Sequence, residues 1–297
     1  MAHRYQKKYD LAFRRMSTNQ FQTGRDFSLK ESDIVNDGVF DHKMHLFLGC
    51  YSPAVIEAMF ERYHVREFFE KKGIPNISWH INMDDPYVHR FMMLSEKNGK
   101  KHKLIELVMQ RKTLKMPLDK KRSLNLEFLH IEWLMMQNPY KPFRRDKPPL
   151  PGQHAPGLGI GLHMLQILMH LAKKANTHGL INSPNYLHTA IFFSRAFHFY
   201  DPKAEAFMQI IKYQKLPQYS HYTLSWADEY GALQHALNHR PIIWRPSMMV
   251  APISNEAKRY FLSREYRTQV RKARRKLRIS VNLRKLNKKL KEHGQLQ

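Results

Sequence analysis

The segment from Pro151 to Lys174, PGQHAPGLGIGLHMLQILMHLAKK, constrains the fold of this chain more than any other. Three glycines at every second position lead into an apolar stretch with helical periodicity. A helix N-terminus presents N–H groups without intrahelical partners, and glycines let an anion approach them closely. The segment predicts a helix from about Leu158 to Ala175 whose entry seats a phosphate. A plain loop-to-helix turn is the alternative.

Two familiar phosphate-binding motifs do not fit this turn. A P-loop needs Lys-Ser or Lys-Thr after its last glycine, whereas Leu162-His163 follows Gly161, so a P-loop is excluded. The dinucleotide fingerprint G-x-G-x-x-G follows the first strand of its domain. This turn reads G-x-G-x-G, comes after a long loop and lies late in the strand order, so it fits that fingerprint poorly.

Strand and helix patterns alternate along the rest of the chain. The Asn98-Gly99 pair predicts a hairpin, and Ser52-Pro53 predicts a helix start. Strands are predicted at His45–Gly49, Asn76–Met83, Tyr87–Lys97, Lys103–Lys112, Leu124–Met136, Thr177–Pro184 and Arg240–Pro246. Further helices are predicted at Asn185–Phe197, Ala204–Lys212 and Leu224–Leu237.

This order of elements resembles the GNAT-type N-acetyltransferase superfamily over roughly Met44 to Tyr200. The resemblance rests on LEFLHIEWLMMQ as the fourth strand, PGLGIG as the turn, LHMLQILMHLAKK as the helix, GLINSP as the fifth strand, and HTAIFFSRAFHF as the next helix and return strand. It implies an α/β fold, a GNAT-like mixed central sheet flanked by helices with a basic C-terminal extension. We expect a polar arm at 1–43, the acyltransferase domain at 44–215, a packed extension at 216–262 and a basic tail at 263–297.

The resemblance also implies a co-substrate, acetyl-CoA or another acyl-CoA. Its pyrophosphate would rest on the glycine turn, and its pantetheine arm would pair with the end of the fourth strand. The family turn usually begins with Gln or Arg, and His154 takes that place here. The expected contacts are Leu134, Met135, Met136, Gly157, Leu158, Gly159, Ile160 and Gly161.

Acyl transfer to an amine needs a base, and the fourth strand offers two candidates. Strand alternation places His130 and Glu132 on one face, and a partly buried glutamate has a raised pKa that suits a base. The alternative is that both side chains pair with basic neighbours on an exposed face.

The resemblance places the proton donor for the leaving thiolate on the helix after the fifth strand. Ser194 takes the place of the family's tyrosine there, Leu187 takes the place of its asparagine, and Tyr200 is a further candidate donor. Serine is a poor proton donor to a thiolate, so a non-catalytic acyl-CoA-binding or regulatory protein is an alternative function.

Charge points to a second alternative, a nucleic-acid-associated basic protein. The chain of 297 residues has 50 Lys and Arg against 25 Asp and Glu, a formal charge of +25. The run from Arg271 to Lys291 contains no acid, and such segments neutralise the phosphates of nucleic acid or another polyanion. A solvated tail is the other interpretation of this run.

Other features set the expected compartment and exclude a metal. Cys50 is the single cysteine, which fits a reducing compartment, and the N-terminus has no apolar signal segment. The most apolar run, Gly157 to Ala172, is too short to span a membrane. The 18 histidines form no metal-binding motif. We therefore expect a cytoplasmic protein without a membrane span and without a metal.

Overall fold

The structure, a computed structural model, describes residues 46–54, 56, 65–118 and 121–294, so the predicted arm at 1–43 lies outside the described residues. The described strands are β1 (Ile77–Asn82), β2 (Val88–Lys97), β3 (Lys100–Pro117), β4 (Ser123–Met136), β5 (Gly179–Asn182), β6 (His198–Phe199), β7 (Leu233–His235), β8 (Met249–Pro252) and β9 (Ile279–Val281). The described helices are α1 (Val65–Glu70), α2 (Gly161–Lys174), α3 (Leu187–Phe193), α4 (Pro202–Ile210), α5 (His221–Glu229), α6 (Asn255–Leu262), α7 (Arg264–Lys276) and α8 (Leu283–Glu292). A π-helical turn, Ile211–Lys215, extends α4.

Seven of the described strands form one sheet in the order β1-β2-β3-β4-β5-β8-β6. β2 pairs antiparallel with β1 and with β3, and β8 pairs antiparallel with β5 and with β6. Strands β7 and β9 form a separate antiparallel pair. The predicted α/β class is confirmed as a mixed fold with a mostly antiparallel sheet flanked by helices.

The chain divides into two compact units that interleave along the sequence. The first holds the described residues up to Lys112, residues 129–140 and residues 157–176, and the second holds residues 113–128, 141–156 and those from Thr177 onward. Strands β3 and β4 contribute residues to both. The predicted boundaries at 43, 215 and 262 stay predictions.

The first unit is built on the predicted hairpin and the predicted helix. Asn98 and Gly99 have φ values of 53° and 72°, the left-handed pair that a two-residue hairpin turn requires, and they join β2 directly to β3. Helix α2 buries an apolar stripe consisting of Met164, Leu165, Leu168, Leu171 and Ala172. The other buried apolar side chains of this unit include Met93 of β2, Met109 of β3 and Ile131 of β4.

The predicted first strand, His45–Gly49, is wrong over its described residues. Phe47 and Tyr51 form an isolated bridge that closes a tight turn, in which the Phe47 N–H donates to the Tyr51 carbonyl at 2.7 Å. Leu48 and Gly49 both have positive φ values, of 56° and 69°. The apolar side chains that suggested a strand are buried by this turn instead.

The second unit has its own core and well-capped helices. Met116, Phe128, Ile181 and Val250 contribute strand residues to this core, and α6 and α7 pack onto it. Five of its helices begin at a residue whose side chain accepts a backbone N–H, namely Asp201, Ser220, Ser254, Ser263 and Asn282.

Two predicted elements of the second unit are wrong in their extent or type. The helix predicted over Leu224–Leu237 is α5 followed by strand β7, because Gly231 at φ 59° ends the helical path. Residues 240–246, predicted as a strand, form an isolated bridge from Pro241 to Gln234 with backbone hydrogen bonds to β7 on either side of it, and the next strand along the chain is β8.

The predicted basic tail folds as α7, β9 and α8. Tyr266 and Val270 of α7 and Leu286 and Leu290 of α8 are buried, and β9 pairs with β7. The basic side chains lie on the outer faces of these elements. The segment is therefore part of the second unit and is not a solvated extension.

Candidate functional site

The glycine turn and the end of β4 meet in the first unit. A Cβ built on Gly157 would lie 3.9 Å from the carbonyl oxygen of Met136, the last residue of β4. Gly159 has a φ of 75°, which glycine adopts without strain. The two groups of residues expected to contact an acyl-CoA, at the turn and at the strand end, are therefore adjacent.

Lys72 contributes a cation to the glycine turn. Its ammonium donates a hydrogen bond of 2.6 Å to the Leu158 carbonyl and lies 4.6 Å from the centre of the Phe68 ring. The same Nζ is 3.7 Å from the position that a Cβ on Gly159 would take. The sequence analysis did not identify Lys72, because it is 86 residues from Leu158 and no local motif links the two.

Helix α2 begins at the glycine turn without a side-chain cap. Ile160 is its N-cap residue and offers no side-chain acceptor to the first N–H groups. Burial lowers the pKa of His163, in the first turn of α2, and the positive charge of Lys72 lowers it further. The imidazole is therefore neutral near neutral pH, and Lys72 supplies the positive side-chain charge at this entry.

His130 and Glu132 lie together on β4, as predicted. His130 Nδ1 is 3.7 Å from Glu132 Oε1, beyond hydrogen-bond distance, and this buried nitrogen has no hydrogen-bond partner. Burial lowers the pKa of His130, and the positive charge of Lys112 lowers it further, while the negative charge of Glu132 acts to raise it. His130 is therefore a neutral imidazole, the protonation state that a base requires.

The environment of Glu132 differs from the one predicted. Glu132 is exposed rather than partly buried, and its Oε1 accepts a hydrogen bond from Gln110 Nε2 on β3. The partial burial on which the prediction of a base rested is therefore absent. A basic role for Glu132 therefore depends on its position beside His130 and near the end of β4.

Two other glutamates, on β3 and β4, take part in contacts within the fold. Glu106 is buried and pairs with Arg90 and with Lys103, the latter at 2.8 Å. The Glu127 carbonyl accepts the His178 N–H at 2.8 Å and so links β4 to the start of β5. Both contacts hold the fold together.

Ser194 and Tyr200 lie in the second unit, and each donates its hydroxyl proton to a backbone carbonyl. Ser194 Oγ donates to Ile191 at 2.8 Å, and Tyr200 Oη donates to Lys115 at 2.8 Å. Burial also raises the pKa of Tyr200, whose ring stacks on Tyr260 at 5.1 Å. Either residue would have to break its present bond before it could protonate a leaving group.

The second unit also contains buried polar atoms without partners. Asn182, at the end of β5, is 3% exposed, and neither its Nδ2 nor its Oδ1 has a hydrogen-bond partner. Burial, with a contribution from His221, lowers the pKa of His188 to about 4, and its Nδ1 is likewise unpaired. The His188 ring stacks on Tyr186 at 5.4 Å.

Comparisons with protein families, curated proteins and solved structures return no match to this chain. Among the described residues, no group of three or more His, Cys, Asp or Glu side chains could hold a metal ion. No helix in the described part of the chain is long and apolar enough to cross a membrane. The described residues therefore define a mixed α/β fold, in which the Lys72 ammonium lies at the glycine turn before α2.

Proposed function

We propose that the protein binds an acyl-CoA, most simply acetyl-CoA, and transfers the acyl group to an amine. The observation that carries the proposal is the meeting of three features in the first unit. These are the turn from Gly157 to Gly161, the start of α2 without a side-chain cap, and the Lys72 ammonium. The order of elements through β6 supports the same function through the resemblance to the GNAT superfamily.

The turn suits a pyrophosphate for electrostatic and steric reasons. The first N–H groups of α2 point out of its N-terminus, where the helix dipole adds partial positive charge. Glycine at 157 and 159 leaves the backbone open to a phosphate oxygen, and Lys72 adds a full positive charge. Because Met136 borders Gly157, a ligand seated on the turn would extend along the end of β4.

The proposed reaction is a proton transfer followed by acyl transfer. Glu132, or His130 beside it, accepts a proton from the ammonium of the acceptor, directly or through water. The amine attacks the thioester carbonyl carbon, a C–N bond forms and the C–S bond breaks. CoA leaves as a thiolate and takes up the proton that the attacking nitrogen loses as the amide forms, so one acyl-CoA and one amine give one amide and one CoA.

Calorimetric titration of acetyl-CoA and of CoA into the full chain tests the binding part of the proposal. Gly159→Glu adds bulk and a negative charge at the turn and should abolish binding. Gly99→Glu is a matched control, because Gly99 also has a left-handed φ, of 72°, and no atom lies near a Cβ built on it. We expect the wild type and Gly99→Glu to bind tightly and Gly159→Glu not to bind.

The transfer step has a separate test in which free CoA thiol is measured as acetyl-CoA reacts with a panel of primary amines. Glu132→Gln should retain acetyl-CoA binding and lower kcat by about 10²- to 10⁴-fold. Binding without turnover of any amine would identify a non-catalytic acyl-CoA-binding protein. If neither acetyl-CoA nor CoA binds, the proposed function is wrong, and the glycines only form the turn that precedes α2.

A further inference from the structure

A row of arginines follows one border of α7 in the second unit. Arg264, Arg267, Arg271 and Arg274 stand at positions i, i+3, i+7 and i+10 of the helix, and all four are exposed. At about 100° per residue, they fall within about 80° of arc beside the buried face. The single acid of the helix, Glu265, lies about 100° away from Arg264 and so stands outside the row.

The arginine row forms no ion pair among the residues that the structure describes. Arg271 donates to Thr268 Oγ1 at 3.3 Å, and Arg274 donates to Gln209 Oε1 at 3.5 Å. Throughout the described part of the chain, no carboxylate lies within ion-pair distance of any of the four guanidinium groups. An anionic partner would therefore gain from their full charge without displacing an existing ion pair.

Arg264, Arg267 and Arg271 of the row line one wall of a groove of about 610 Å³ in the same unit, between α7, α4, β6 and the end of α6, and Arg274 continues the row past the groove. Phe261 contributes to its apolar floor, and the exposed ring of His198 stacks on Phe261 at 5.3 Å. Leu262 at the rim is 60% exposed. The groove thus combines a charged wall with an exposed aromatic surface.

Among the described residues, Glu205 is the one acid that lines the groove, and its carboxylate accepts hydrogen bonds within the fold. Its Oε2 accepts the Phe199 N–H at 2.9 Å, and its Oε1 accepts from Gln209 Nε2 at 3.0 Å. These bonds hold the start of α4 against β6. The three arginines of the wall outnumber this single carboxylate, so the groove keeps a positive charge.

We propose that this groove binds a single strand of nucleic acid, with its phosphates on the arginine row and a base on the His198 ring. The row is about 15 Å long, which at about 3.4 Å per phosphate in a stacked strand matches about four phosphates. Guanidinium groups bind phosphates through paired N–H donors, and aromatic rings stack on any base. A concave groove with this pattern fits a strand better than it fits a flat lipid surface.

Fluorescence anisotropy with a labelled 15-residue oligothymidine and the full chain tests the phosphate contacts. The double variant Arg267→Ala with Arg271→Ala removes two contacts, which at about −0.7 per contact in the slope of log affinity against log salt should flatten the slope by about 1.4. The affinity at 0.1 M salt should fall by about 25-fold, extrapolating from 1 M salt.

The matched control is Lys272→Ala with Lys276→Ala, which removes the same charge from the opposite border of α7. It should leave the affinity within about 3-fold of the wild type if the arginine row is the site. Equal losses in the two double variants would overturn the proposal, because they would indicate attraction to overall charge only.

An abasic strand of the same length isolates the base contact. His198→Ala should weaken oligothymidine binding by about 5-fold or more and leave the abasic strand unaffected. Vesicles containing phosphatidylserine complete the test. Vesicle binding that depends on Arg267 and Arg271, with no binding to either strand, would replace the proposal with a membrane-docking surface.

Discussion

Lys72→Met is the substitution that most directly tests the anion-accepting turn. A phosphate oxygen in contact with the Lys72 ammonium places two unit charges about 4 Å apart, worth about 4 kcal/mol at an effective dielectric constant of 20. Lys72 is only half-buried, so solvent screening reduces this value, and we expect a loss of about 1 to 2 kcal/mol in CoA binding. That loss corresponds to about 5- to 30-fold in Kd.

The assay compares ligands that differ in phosphate. CoA and acetyl-CoA should lose affinity for Lys72→Met, whereas acetyl-pantetheine, which has no phosphate, should bind the variant and the wild type equally. Lys71→Met is the matched control, because Lys71 is the exposed neighbour and carries the same charge. It should change CoA affinity by less than about 2-fold.

Two results would refute the reasoning about Lys72. An equal loss for acetyl-pantetheine would mean that the hydrogen bond to Leu158 shapes the turn and that the charge contributes nothing. An equal loss in Lys71→Met would mean that general charge attracts CoA. A thermal unfolding curve of each variant separates a misfolded turn from a lost contact.

Three further predictions concern stability and are measured by urea unfolding. A Cβ on Gly179 would lie 2.1 Å from a backbone carbonyl oxygen at a φ of 149°, so Gly179→Ala should cost about 3 kcal/mol or more, and a cost below about 1 kcal/mol would contradict this. Burial alone would raise the pKa of Glu106, but its bonds to Lys103 and Arg90 lower it. The stability that the ionised Glu106 adds to the fold is present above about pH 4.5 and is lost as the pH falls through the lowered pKa. Glu106→Gln should therefore cost about 1 to 2 kcal/mol at pH 7 and far less at pH 2, with the partly exposed partners limiting the effect. Burial raises the pKa of Asp228 from 3.8 to about 6, so stability should fall as the pH rises from about 4 to about 6, and Asp228→Asn should remove that slope and add up to about 3 kcal/mol at pH 7. An unchanged slope in Asp228→Asn would show that another group titrates.

The elements that the sequence predicted well are those with local signals. The Asn98-Gly99 hairpin needs only two residues that tolerate left-handed φ, and β4 alternates on either side of Phe128 and Leu129, which are both buried. The same local logic failed at His45–Gly49, because an apolar run can be buried by a turn as well as by a strand. It also missed β8, which has four residues and is too short to show a period.

The candidate site was only partly predictable for a different reason. The glycine spacing predicts the turn, and the alternation of side chains predicts β4. Lys72 becomes part of the site only when the chain brings α1 beside a turn far along the sequence. The exposure of Glu132 and the backbone bonds of Ser194 and Tyr200 likewise depend on neighbours from other elements, which no local pattern specifies.

The formal charge of +25 cannot by itself identify a partner, but its distribution separates the two proposed ligands. At the glycine turn, one ammonium and a set of neutral N–H groups face a compact pyrophosphate, so few counterions are released on binding. At the arginine row, four guanidinium groups in series face consecutive phosphates, so binding should weaken steeply with salt. The slope of log affinity against log salt concentration should therefore be about −1 or shallower for CoA. For the oligonucleotide it should be about −2.8, the value for four contacts at about −0.7 each. If the two slopes coincide, the ligands share one basic surface, and the assignment of a separate site to each unit is wrong.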